Sequence, residues 1–184
     1  MNRRSGQVYD EWLVLRCQDG DASALPILID RWQRRLVNYA RLATKDADLA
    51  KDIIQDTWLN VIKALPSLRD PARFRVWLYQ MATNKISDHF RHQEVVSKHI
   101  EYSKNNATHV EKDRDREQLE REEAVSYVLQ QLSPDHRTVL ALYYLGEFEV
   151  EEISHILSIP KGTVKSRLHH AREQFRENLE VENE

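Results

Sequence analysis

Among 184 residues there are 1 Cys, 4 Gly and 5 Pro. A lone Cys17 has no partner within the chain, so a disulfide framework is excluded. Its setting in an amphipathic stretch makes it a packing residue rather than a nucleophile. Four glycines are too few for the tight turns of a β-sandwich or a doubly wound sheet. No apolar run reaches the roughly 18 residues of a membrane span, and mean hydropathy is −0.68. The start, Met1-Asn2-Arg3-Arg4-Ser5, runs into polar sequence without an apolar core, so no export signal is expected. Also missing are a Gly-rich phosphate loop, a Ser/His/Asp grouping and a Cys/His cluster. The 8 His are scattered apart from His169-His170. Neither an enzyme, a cofactor nor a metal site is expected. What remains is a mostly helical chain expected to be soluble and cytoplasmic. One feature sits awkwardly with nucleic acid: 27 Lys plus Arg against 30 Asp plus Glu leave a net charge of −3.

The few glycines and prolines fall between apolar stretches, where they punctuate helices. Asp10 to Asp19 is amphipathic, with Trp12, Leu13, Leu15 and Arg16 at helical spacing, and Gly20 closes it. Ala24 to Leu42 repeats apolar residues every three or four positions, with Pro26 near its start. Asp46 to Leu65 does the same, carrying Leu49, Ile53, Ile54, Trp58, Val61 and Ile62 on one side. Pro66 and Pro71 bracket a loop, and a fourth helix is expected from about Ala72 to His92. These four helices make a first domain, residues 10–93. Residues 94–118 are dense in mixed charge and poor in large apolar residues, a composition expected of a flexible linker. A second domain, 119–178, opens with Ala124, Val125, Val128, Leu129 and Leu132 at helical spacing. Ser133-Pro134 then caps a helix that Gly146 is expected to end in the left-handed conformation. No strand pattern and no repeat appears. The fold class is all-α: two small helical domains joined by a charged linker.

Residues 150–175 carry a mechanism. Val150 to Leu157 reads as a short helix, Ser158-Ile159-Pro160 as a turn, and Lys161 onward as a second helix. Small Ser154 permits close crossing, while Ile153, Leu157, Ile159 and Val164 form a wedge. That is the spacing of a helix-turn-helix. On the second helix Val164, Leu168, Ala171 and Phe175 fall on one face. From Lys161 to Arg176 there are five basic residues and one acid, Glu173. A basic helix so placed can lie in a major groove; the alternative is an ordinary solvated face.

The run Leu132-Ser133-Pro134 … Gly162-Thr163-Val164-Lys165-Ser166-Arg167-Leu168 … Ala171-Arg172 resembles region 4 of bacterial sigma-70 family initiation factors. The nearest group is the small two-domain one termed extracytoplasmic function (ECF). The first domain is similar to region 2, through Gly20-Asp21, Leu28, Arg31-Trp32, Asp52-Ile53-Ile54-Gln55-Asp56-Thr57, Phe74-Arg75-Val76-Trp77-Leu78, Asn84 and Asp88.

The resemblance implies a factor that binds core RNA polymerase and recognises and opens promoter DNA. Asp48, Asp52, Gln55, Asp56 and Asn60 would face the coiled coil of the polymerase β′ subunit, although acids early in a helix also suit its dipole. The polymerase β flap is a second implied contact of the core. Arg73, Arg75, Tyr79, Asn84, Lys85, Asp88 and Arg91 would handle the opened minus-ten element. There Asn and Asp can read base edges and the bases can meet phosphates. Trp77 is expected in the core and Tyr79 as the exposed ring. Lys161, Thr163, Lys165, Ser166, Arg167, His169, His170 and Arg172 would read the minus-thirty-five duplex. An anti-sigma factor is a candidate further partner. A response regulator with a similar DNA-binding domain is the main rival, but it needs an α/β receiver, and residues 1–92 show no strand pattern.

Overall fold

The computed structural model describes residues 3–97, 129 and 131–182, and among them there is no strand. Helix α1 spans Arg3–Gln18, beginning well ahead of the amphipathic stretch the sequence suggests. Leu13 and Val14 face the core, whereas Trp12 and Leu15 stay exposed. Gly20 takes the left-handed φ of +86° in the turn that follows. Helix α2, Ala24–Thr44, ends at left-handed Lys45, whose N–H reaches the Arg41 carbonyl. Asp46 caps α3, Ala47–Ala64, by accepting the N–H groups of Asp48 and Leu49. Two short 3₁₀ turns, Leu65–Ser67 and Pro71–Arg73, lead into α4, Phe74–Ser97. Trp32, Leu36, Tyr39, Ile54, Trp58, Phe74 and Leu78 fill the space between these helices.

The second cluster starts from Leu129 and buried Leu132. Ser133 Oγ caps α5, Pro134–Leu140, by accepting the His136 N–H at 3.3 Å. The chain then widens into one π turn, Ala141–Leu145, instead of continuing as the regular helix the sequence suggests. Gly146 is not the left-handed residue: its φ is −80°, and Glu147 takes φ +52° in its place. What Gly146 supplies is space. A Cβ on Gly146 would lie 2.6 Å from the Phe148 ring and 2.7 Å from the Leu142 carbonyl oxygen. Helices α6, Val150–Leu157, and α7, Lys161–Glu182, complete the cluster. The linker expected past Ser97 and the helix expected over 119–128 lie outside the described residues.

Of the expected cytoplasmic placement, the structure bears only on membrane spans. Among the described residues no helix is long and apolar enough to cross a membrane.

Candidate nucleic-acid and protein interfaces

Helices α6 and α7 cross through a turn built by side chains. The Glu149 N–H donates to the Glu152 carboxylate at 2.8 Å, closing the first turn of α6. Ser158 stands left-handed at φ +54°, and Ser154 Oγ donates to the Ile159 carbonyl at 2.6 Å. Ile153, Ile156, Val164, Leu168 and Ala171 are buried. Ile156 thus takes the full burial expected of Leu157 and Ile159, which are half-covered.

With that face inward, α7 turns Lys165, Ser166, His169 and His170 to the outside. His169 Nε2 and His170 Nδ1 lie 3.4 and 3.5 Å from the two oxygens of Glu173. Lys161 is exposed too, but its Nζ is 2.6 Å from Glu151, and this hydrogen bond holds the Glu151 carboxyl below its usual range. Arg167 turns the other way, half-buried, with its guanidinium 2.5 Å from Asp135 of α5. Arg172 Nε donates to Tyr144 Oη at 2.9 Å, and its guanidinium also lies over Tyr143. Thr163 is half-buried.

On α4 the expected residues divide. Asn84, Asp88 and Arg91 are exposed, with Arg91 paired to Asp88, and Lys85 is half-covered. Arg73 is exposed at 3.4 Å from Asp70. Tyr79 is not the exposed ring: it is 3% exposed, packed edge-on against Trp32 and Phe148 and tilted against Tyr39. Burial pushes its phenol up to about 12. Trp77 keeps the more open ring. Arg75 points at the second cluster, donating from Nη2 to the carbonyls of Gly146 and Glu147 at 2.7 and 2.9 Å. Arg34, Arg35 and Arg41 of α2 and Lys45 at its cap are exposed as well, bases outside the expected set. Their recurrence at positions 34, 41 and 45, one helix side, is the signal that was available.

Helix α3 presents Asp48, Asp52, Gln55 and Asp56 to the outside, with Asn60 half-buried and Lys51 at 2.9 Å from Asp48. Two apolar residues continue the stripe: Leu59 is 52% exposed and Ile62 42%. Ile62, expected in the core, is therefore on the surface, because no described element packs on that flank of α3. An acidic row with an apolar end suits a protein partner better than an anion. A second apolar surface is a groove of about 380 Å³ between the end of α2 and the second cluster. Leu42, Leu140, Tyr144, Leu145 and Phe175 line it, with Arg137 and Arg172 its charged members.

Comparison with known proteins bears on both clusters. The family model described as Sigma-70 region 2 matches residues 28–95, and that described as Sigma-70, region 4 matches residues 122–175. The RNA polymerase sigma-H factor of Pseudomonas aeruginosa is 30% identical, the alignment covering 95% of each chain. The ECF RNA polymerase sigma factor SigW of Bacillus subtilis is 28% identical over 90% of this chain and 94% of its own. Among solved structures, CnrH in complex with the cytosolic domain of CnrY superposes with a TM-score of 0.68 at 24% identity, covering 94% of this chain and 98% of that one. The sigma factor RpoE of Bartonella quintana, in complex with the anti-sigma factor NepR, gives 0.70 at 23% identity over 83% and 94%. At these identities the likeness to the solved structures is one of fold.

Proposed function

The chain belongs to the sigma-70 family of RNA polymerase sigma factors, in its extracytoplasmic function group, and from that premise we propose which surfaces do the work. As such a factor it directs promoter recognition by RNA polymerase, and it is not itself an enzyme. The first domain, residues 10–93, docks through the α3 stripe of Asp48, Asp52, Gln55, Asp56 and Asn60 on the β′ coiled coil. Leu59 and Ile62 add apolar area that a partner helix can bury. The apolar groove beside Tyr144 and Leu145 receives the β flap. Helix α7 of the second domain, 119–178, lies in the major groove of the minus-thirty-five element. There Lys165, Ser166, His169 and His170 are the base-facing set, and Lys161, Thr163 and Arg172 flank it. Arg167 contributes less, since it is spent on Asp135.

The minus-ten element requires a base out of its stack and a strand held single. Asn84 and Asp88 can read edges, and Arg73, Arg75, Lys85 and Arg91 can hold phosphates, while Tyr79 is packed in the core behind them. An anti-sigma factor is the further partner we assign, by analogy with the NepR complex.

One observation carries this reading: an exposed basic helix on a helix-turn-helix, in a chain whose two family matches run region 2 then region 4. The test is reconstitution. Core RNA polymerase with the purified chain is expected to give promoter-specific transcripts from a genomic template that core alone does not produce. No such transcript from any template would overturn it.

A further inference from the structure

The π turn at Ala141–Leu145 widens the chain where it passes the DNA-reading helix, and such turns recur at working parts of proteins. Its hydrogen bond runs from the Gly146 N–H back five residues to the Ala141 carbonyl, at 2.9 Å. Consecutive side chains on a regular helix diverge by about 100°. Here the consecutive Tyr143 and Tyr144 both meet one guanidinium, that of Arg172 on α7. It lies 5.1 Å from the Tyr143 ring centroid and 5.6 Å from that of Tyr144. The two rings stand edge to face, their centroids 5.0 Å apart at 76°. Arg172 Nε donates to Tyr144 Oη at 2.9 Å. Yet Tyr144 is 57% exposed, and Arg172 is exposed as well. So little burial gives this contact little part in holding the fold.

Arg172 sits on the same side of α7 as Lys165, two turns further on. An arginine free to move loses rotamer freedom when it grips a phosphate, and that loss weakens binding. One whose Nε is already bonded keeps the Nη1–Nη2 edge of its planar fork for two phosphate oxygens. The tyrosine pair supplies both conditions: the hydroxyl takes Nε, and the rings hold the guanidinium in place. We propose that Tyr144, seated by the π turn, is a positioning residue that presets Arg172 for a phosphate of the minus-thirty-five duplex. This rests on the place given above to Arg172 beside the base-facing set of α7. Tyr144 acts through Arg172 and need not touch the DNA itself.

The test is a double-mutant cycle on holoenzyme assembled from core RNA polymerase and the full chain. Its probe is a fluorescent duplex carrying the upstream element of a promoter transcribed in the reconstitution, read by anisotropy at several salt concentrations. Tyr144→Phe keeps the ring and removes only an exposed hydroxyl, so the fold is retained. With Arg172 present, Tyr144→Phe is expected to weaken duplex binding about fivefold, within the span that presetting one long side chain allows. In the Arg172→Ala background the same substitution should change binding by less than about twofold. Any effect of Tyr144 on the apolar groove persists in both backgrounds and cancels from the cycle, so a merely structural role leaves no coupling. Equal losses in the two backgrounds, or no loss in either, would overturn the proposal. The two readings fail apart. Arg172→Ala alone should lower the salt slope by about 1. An unchanged slope removes Arg172 from the phosphate contacts, and the role of Tyr144 with it. A lowered slope without coupling to Tyr144 strikes only the positioning.

Discussion

Asp10 and Tyr79 show what burial does to single groups in this chain. The Asp10 carboxylate is 6% exposed and accepts Arg31 Nε at 2.8 Å and the Trp32 indole N–H at 3.2 Å. Asp10→Ala leaves both donors without their acceptor, and a buried unpaired group costs more than the bond itself contributed. We expect a loss of about 3 kcal/mol in urea unfolding, with Asp10→Asn recovering part because one oxygen remains. Tyr79 sets a limit at the alkaline end. Its phenol is pushed up to about 12 by burial, and that of Tyr39, bonded to Thr83 Oγ1, is raised as well. Below pH ~10 both folded and unfolded chains keep these protons, so the groups do not affect stability. Above it the unfolded chain releases protons that the folded one retains. Unfolding therefore becomes easier with rising pH, by up to ~1.4 kcal/mol per unit for Tyr79 until its folded value is reached. The slope of unfolding free energy between pH 9 and 11, compared with that of Tyr79→Phe, measures this; a slope unchanged by the substitution refutes it.

Two backbone positions decide whether elements of the second cluster hold, and they respond to substitution with opposite sign. Ser158 makes the helix-turn-helix turn at φ +54° with its side chain exposed. Ser158→Gly removes a Cβ penalty of about 1 kcal/mol, so thermal unfolding should shift up by about 2–4 °C. Gly146→Ala drives a Cβ into the Phe148 ring and the Leu142 carbonyl, and about 2 kcal/mol should be lost. A Gly146→Ala chain melting with wild type would contradict the close approach. These two positions also mark where reading the sequence stops. Helical periodicity located α2, α3, α6 and α7 to within a few residues, because their buried faces repeat at three and four. The π turn at Ala141–Leu145 left no such mark, since one extra residue in a turn keeps local apolar spacing nearly intact. Tyr79 read as exposed because its cover is tertiary, Trp32 and Tyr39 of α2 on one side and Phe148 of the other cluster on another. Ile62 read as core because periodicity tells which face is apolar and not whether anything packs on it. Arg167 and Lys165 look alike as letters, yet only the position of Asp135 on α5 separates them.

Across the whole molecule the net charge of −3 conceals a separation of sign. Acids gather at 147–152 and along α3, while exposed bases stand on α7 and on the later part of α2. The two clusters are also tied by Arg137, buried on α5, whose guanidinium donates to the Leu132 carbonyl and across to Ala43 of α2 at 3.3 Å. A free chain of this kind attracts DNA weakly through its overall field, so duplex affinity should come from particular bases once polymerase presents them. Each phosphate contact releases condensed counterions, and log affinity falls against log salt with a slope of about 0.9 per contact. Lys165 is exposed on α7 with its charge turned outward. Lys165→Ala should therefore weaken binding of the assembled holoenzyme to a minus-thirty-five duplex and lower the salt slope by about 1. Arg167, at the same formal charge and two residues on, has its guanidinium on Asp135 and points at α5. Arg167→Ala should leave the slope within error while lowering stability slightly. Equal slope changes for the two would mean that α7 meets DNA through the side facing α5, and the base-facing set of Lys165, Ser166, His169 and His170 would have to be given up.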